Sequence, residues 1–296
     1  MFRIFLKYGN SSPCVQKDSC KAANSAGPVK SLCVKTNIYL QLTDEFNAGK
    51  VRAIICSGQA AVLHRVAIMS KDGDWILRED PETCQHVLMA LERHGAHYRF
   101  GAPLDIRWLA QGWSAHFEFT AEVLRVRTDF FSRPPRINAA EMALLWQEQA
   151  KERPPFVNLT QLARMKQTDR EKDYVVIGEL ARRMMDPADC LRFSRSAVDL
   201  MRLAEQHPSL VKLLALERPV LAMIQEGRDR LEAALDAERR DMIHANERRL
   251  ARFQEAAGRW LAQWPAVLRQ TQGLPLSQAH RIITNKAEAY LPMSLP

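Results

Sequence analysis

The sequence predicts an α+β protein, a mixed β-sheet flanked by helices and followed by a helical C-terminal region with one long amphipathic helix. Three observations carry this expectation. Between residues 36 and 137 short apolar runs alternate with helical stretches, the pattern of domains that pack helices on a sheet. After residue 138 the chain reads as mainly helical, apart from a Pro-flanked, strand-like Phe156-Val157-Asn158-Leu159. From 219 to 264, Leu221, Ile224, Leu231, Leu235, Met242, Leu250, Phe253, Ala257, Trp260 and Trp264 recur at spacings of three, four or seven, one apolar stripe on a charged helix. That stripe serves either as a seam against the chain's own core, the usual use of an amphipathic helix, or as a surface for a partner or for self-association.

Each element has a local reason. Arg52-Ala53-Ile54-Ile55-Cys56 is a buried strand, and Ser57-Gly58 turns the chain into a short helix through Ala60, Ala61, Leu63 and His64. Trp75-Ile76-Leu77 is a second strand. Residues 82–94 form a helix opened by Asp80-Pro81 and closed before Gly95. His116-Phe117-Glu118-Phe119 and residues 123–130 alternate as half-buried strands do, and Pro134-Pro135 ends the sheet region. Residues 1–34 mix Ser, Gly, Pro, Asn and Lys without a period and read as a disordered or non-native leader. The expected organisation is therefore this leader, a core over 35–160, a helical extension over 161–215, and the long helix with its tail over 216–296.

Composition narrows the class. Hydrophobic residues make up 47% and charged residues 26% of the 296, values of an ordinary globular chain, and no uncharged run is long enough for a membrane span. The formal charge of +8 mildly favours a polyanionic partner such as a nucleoside triphosphate or RNA, although residues 41–150 are close to neutral. None of the six cysteines stands in a C-x-x-C pair, and no secretory signal opens the chain, so reduced, cytoplasmic thiols and no structural zinc are expected. G-x-S-x-G, G-x-x-x-x-G-K-[ST] and H-E-x-x-H are all missing, which removes the parts that serine-hydrolase, P-loop and zincin chemistry require.

The pattern that carries chemistry is Ser70-Lys71-Asp72-Gly73-Asp74-Trp75. Residues two apart on a strand share a face, so Asp72 and Asp74 would aim two hard oxygen donors at one point, a spacing that suits Mg²⁺ or Mn²⁺. Asp129, at the end of a later strand, would supply a third acid for in-line displacement at phosphorus. A second reading competes: Asp72-Gly73 between Val66-Ala67-Ile68-Met69 and Trp75-Ile76-Leu77 is also a type I′ hairpin signal.

With the Ser57-Gly58 turn fourteen residues before the acid pair, where the family places its turn about ten residues before, and Asp129 in Arg127-Thr128-Asp129-Phe130-Phe131, these residues resemble the nucleotidyltransferase superfamily. Residues 162–174, LARMKQTDREKDY, are similar to a helical Lys…Arg-x-Lys-Asp segment of bacterial nucleotidyltransferase-like proteins, including those of abortive-infection and toxin–antitoxin systems. The likeness spans residues 40–185 and departs from the family at Ser57-Gly58-Gln59, where relatives carry Gly-Gly, and at Ile68, where many carry Arg. It implies a nucleotidyltransferase-like sheet, Mg²⁺ or Mn²⁺ held by Asp72, Asp74 and Asp129, and an NTP as substrate. The NMP would pass to a hydroxyl on RNA, a protein or a small molecule. Ser57, Gly58 and Lys71 would lie at the triphosphate, and Lys166, Arg170 and Lys172 would neutralise its charge. Those last residues read equally well as surface charges paired at helical spacing. Two further readings stay open beside the enzyme: a non-catalytic protein of this fold, and the toxin-like component of a defence system.

Overall fold

A computed structural model of the chain describes residues 37–295. The leader expected over 1–34 lies outside the described residues. Strands β1 (Ala53–Cys56), β2 (Asp72–Leu77), β3 (His97–Gly101), β4 (Ala115–Ala121) and β5 (Leu124–Phe131) form a five-stranded sheet in the order β1-β2-β5-β4-β3. The central pair β2–β5 is parallel and the other pairs are antiparallel, so the sheet is mixed as expected. Around and between the strands lie α1 (Ile38–Phe46), α2 (Ser57–Leu63), α3 (Pro81–Arg93) and α4 (Ile106–Leu109). The helical region follows: α5 (Ala139–Glu148), α6 (Leu159–Met165), α7 (Glu171–Ala181), α8 (Pro187–Phe193), α9 (Ala197–Gln206), α10 (Pro208–Leu214), a 3-10 segment Pro219–Glu226, α11 (Arg228–Ala256), α12 (Gly258–Thr271) and α13 (Leu276–Tyr290). None of these helices is long and apolar enough to cross a membrane.

The hairpin reading is overturned. Residues 66–69 form no strand, and Asp72-Gly73-Asp74 opens β2, paired with Arg127-Thr128-Asp129 of β5 and, at Asp74, with Cys56 of β1 as well. Gly73 is there because of its neighbours: a Cβ at this position would stand 2.3 Å from the Trp75 ring and 2.6 Å from the Tyr39 ring. Trp75 is fully buried, stacks on Phe130 with ring centroids 5.4 Å apart, and donates its indole N–H to Thr43 Oγ1 of α1 at 2.9 Å. The missing side chain lets α1, itself not anticipated from the sequence, lie flat on this face of the sheet.

The single long helix expected from 219 to 264 is divided. Gly227, with φ +91°, breaks it after the 3-10 segment, and Ala257 separates α11 from α12. The stripe is shared between two cores. Leu221, Leu231 and Leu235 pack with Leu191, Leu200 and Leu214, whereas Phe253, Ala257, Trp260 and Trp264 join the main core beneath the sheet. Its use is thus intramolecular. The segment from Lys166 to Arg170, expected as helix, is instead the cap and connection between α6 and α7.

Both sheet edges are closed by hydrogen bonds. On the outer side of β3, the indoles of Trp264 and Trp260 donate to the carbonyls of Arg99 and Gly101 at 3.1 and 2.9 Å. On the outer side of β1, Ile55 N–H donates to Pro155 O at 2.9 Å and Ile55 O accepts from Val157 N–H at 3.0 Å, which accounts for the strand-like piece at 156–159. Exposed edges invite pairing with other chains, and these contacts remove that template. The packing around Gly73 yields the first prediction: Gly73→Ala costs about 2–3 kcal/mol through overpacking and lowers the melting temperature by about 4–10 °C, read from thermal unfolding.

Candidate functional site

Strand alternation and register divide the sheet into two faces. Gly73, Trp75, Phe117, Thr128 and Phe130 point to the face covered by α1, while Cys56, Asp72, Asp74, His116, Arg127 and Asp129 point to the other. Asp74 and Asp129 are register partners across the parallel β2–β5 pair, and Asp72 lies one step along the same row. The three expected acids therefore share one face at the centre of the sheet. All are buried, with Asp74 only 1% exposed.

Their surroundings differ. Both carboxylate oxygens of Asp74 and Oδ1 of Asp72 are buried without a hydrogen-bond donor, and the nearest cation to Asp72 Oδ1 is Arg127 Nη1 at 3.8 Å. Burial first, then the charges of Asp129 and Asp72, push the Asp74 carboxyl up to about 7, against an opposing pull from Lys166. Asp129 goes the other way. Burial would raise it, but His116 and Arg99 outweigh that and hold it below the ordinary carboxylate range. Arg99 Nη2 donates to Asp129 Oδ1 at 2.7 Å, and His116 Nδ1 lies 2.8 Å from the same oxygen. Neither partner was singled out from the sequence.

The turn residues also sit at this face. Ser57 follows Cys56, the register partner of Asp74, and takes φ +54° to swing β1 into α2; its hydroxyl is buried and unpartnered. Gly58 has a packing reason, because a Cβ there would stand 2.2 Å from Ser70 Oγ, so the group that approaches its backbone is the loop leading into β2. Lys71 is exposed beside Asp72, and its carbonyl accepts the Tyr39 hydroxyl at 2.7 Å.

The basic residues expected at the phosphates separate. Lys166 is buried, with Nζ 3.0 Å from Asp173 Oδ1. Arg170 donates from Nε and Nη2 to Asp173 Oδ2 at 2.9 and 2.5 Å, and Thr168 donates to that oxygen at 2.7 Å. Arg170 and Asp173 pair at i,i+3 as the ion-pair reading expected, whereas Lys166 meets Asp173 from seven residues away and in a buried setting, and it additionally reaches Asp74 electrostatically. Lys172 is exposed on α7.

The donor set at Asp72 and Asp74 fits a hard divalent cation, since carboxylate oxygens lacking protein donors are the ligands Mg²⁺ and Mn²⁺ prefer, completed by water and phosphate oxygens. Asp129 stands beside them in register, with its Oδ1 taken up by Arg99. No family model, curated protein or solved structure matches this chain.

The raised Asp74 has a thermodynamic consequence. Between its ordinary 3.8 and about 7 the folded chain holds a proton that the unfolded chain has released, so stability contributed here is present below 3.8 and is lost as pH rises toward 7. Asp74→Asn is accordingly expected to raise the melting temperature by about 4 °C or more at pH 8 in the absence of divalent ions, and by much less at pH 5, in paired thermal melts.

Proposed function

We propose that this protein is a metal-dependent nucleotidyltransferase that moves a nucleoside monophosphate from an NTP to a hydroxyl on RNA, a protein or a small molecule. The observation that carries the reading is Asp74, which buries two carboxylate oxygens without a donor at the centre of the sheet, beside Asp72 and opposite Asp129. An ion in a dry interior is costly unless paired, and these oxygens lack a protein partner, so a cation supplied from outside is the physical complement. The order of features along the chain, Ser57-Gly58, then Asp72-x-Asp74, then Asp129, adds the family resemblance to that argument.

In this reading Asp72 and Asp74 hold Mg²⁺ or Mn²⁺. When bound, the metal neutralises phosphate charge and favours attack at the α-phosphorus. The unpartnered Ser57 hydroxyl donates to a phosphate oxygen at the mouth of the β1–α2 turn, and Lys71 adds a point charge next to Asp72. Lys166, held by Asp173, contributes a fixed positive potential, which favours the phosphates without requiring their contact. The acceptor hydroxyl approaches from the Asp129 side. Its oxygen bonds to the α-phosphorus as the hydroxyl proton passes to solvent, the bond from the α-phosphorus to the bridging oxygen breaks, and pyrophosphate leaves.

The test is transfer of label from each α-labelled NTP into RNA, protein and small-molecule fractions with Mg²⁺ or Mn²⁺. Transfer by the wild type, reduced by at least about 100-fold in Asp72→Asn/Asp74→Asn with the fold retained, supports the reading. Absence of both transfer and NTP binding by the wild type overturns it.

A further inference from the structure

The acid face carries a second group whose chemistry the chain leaves incomplete. Arg127 lies on β5 as the register partner of Asp72, and its side chain projects to the face that holds Asp72, Asp74 and Asp129. Its Nε is buried without a hydrogen-bond acceptor, and its Nη1 stands 3.8 Å from Asp72 Oδ1, too far for a hydrogen bond. The other basic groups packed around the acids are engaged: Arg99 donates to Asp129 at 2.7 Å, Lys166 lies 3.0 Å from Asp173, and Arg170 donates to Asp173 from two nitrogens. Glu118, the partner of Arg127 across the β4–β5 pair, is taken by Arg125 at 2.6 Å and meets His97 at 3.4 Å. The Arg127 side chain is 27% exposed, against 12% for Arg99, so a ligand arriving from solvent can reach it.

Two unmet demands therefore stand side by side. Asp72 and Asp74 present carboxylate oxygens without donors, and Arg127 presents a buried N–H without an acceptor. They do not satisfy one another, because Asp72 and Arg127 meet only at ion-pair distance. A bare divalent cation would answer the first demand and aggravate the second, since it would occupy the carboxylate that balances Arg127 and bring like charge beside it. A cation that arrives with phosphate oxygens answers both. The planar guanidinium fork matches a phosphate, and its hydrogen bonds to an anion are shorter and stronger than those between neutral groups.

We propose that Arg127 is a phosphate-binding residue of this site: it contacts the triphosphate chain of a nucleotide that enters with its divalent cation, and it exchanges Asp72 for that phosphate as the cation takes the carboxylate. The inference rests on the cation site argued above and names the form in which the ligand is accepted, metal and polyphosphate together. The two parts of the ligand reinforce one another here, each raising the affinity for the other by the same factor. Arg127 is thus the group that discriminates the loaded metal from the metal alone.

Two measurements on the full chain test this, neither requiring transfer activity. In the first, binding of Mn²⁺ alone and binding of inorganic triphosphate at saturating Mg²⁺ are measured for the wild type and Arg127→Gln. The expected result in Arg127→Gln is triphosphate binding weaker by at least about 10-fold, with Mn²⁺ alone bound as tightly as by the wild type or more tightly. A smaller loss of triphosphate binding, a matching loss of Mn²⁺ binding, or a wild type that binds Mn²⁺ but no triphosphate overturns the inference and leaves the cation site standing. No Mn²⁺ binding by the wild type overturns the site and the inference together. The second measurement needs no variant: modification of Arg127 by phenylglyoxal in the wild type is followed by mass spectrometry of the peptide that contains it. Slower modification with Mg²⁺ and triphosphate than with Mg²⁺ alone supports the contact. An equal rate in the two conditions overturns it, even where Arg127→Gln fails to fold.

Discussion

A carboxylate buried without a donor is among the least favourable things a protein interior can contain, and Asp74 places one on the interior strand β2. Much of the site can be understood as a response to it. Burial and two neighbouring acids raise Asp74 toward neutrality, so in the absence of a cation the proton is the cheapest counter-charge. Asp129, one strand away, meets the same burial but has Arg99 and His116, and it stays ionised. The site is therefore asymmetric at the level of single side chains, with one acid satisfied internally and another left to an external partner.

Holding acids in such a place demands a stiff frame, and the opposite face of the sheet supplies it. Trp75 and Phe130 interlock with Phe46 of α1 beneath β2 and β5, and Gly73 leaves out a side chain that would collide with Trp75 and with Tyr39 of α1. The sheet edges are fastened by groups far away in sequence, the 155–157 segment at β1 and two tryptophan indoles at β3. The helical C-terminal region is consequently part of the machinery of the sheet: Trp264 secures the backbone of Arg99, whose guanidinium secures Asp129. The basic cluster follows a similar economy, since Lys166 and Arg170 converge on Asp173 and form a preorganised positive region in place of mobile surface charges.

Reading the chain locally recovered what local physics encodes. Alternating and continuous apolar runs mark β1, β2, β4 and β5, because side-chain period reports directly on which faces are buried. Asp80-Pro81 and Gly95 bracket α3 through capping and turn chemistry that needs no distant partner. The parity of Asp72 and Asp74 placed them on one face as soon as they were assigned to a strand. By contrast β3, with His97-Tyr98-Arg99-Phe100-Gly101, carries a register irregularity between Tyr98 and Phe100 and an exposed histidine, so its alternation is obscured and Arg99 stayed invisible. The long apolar stripe was legible, with its use as a seam or as a partner surface left open, but its division at Gly227 and Ala257 follows from two separate cores competing for it.

By itself, then, the sequence determined the α+β class, the mixed character of its elements and the row of acids, since each of these depends on residue type and spacing within a few positions. Only the tertiary structure decided that Gly73 is a packing residue instead of a turn, that Asp173 claims Lys166 and Arg170, and that Asp129 and Asp74 stand in register with opposite electrostatic fates. Those outcomes depend on which strands lie side by side and which distant side chains close over them. Pairing partners 30 to 165 residues apart, as Arg99 is from Asp129 and Trp264 from Arg99, are chosen by global packing, and no local pattern carries that information.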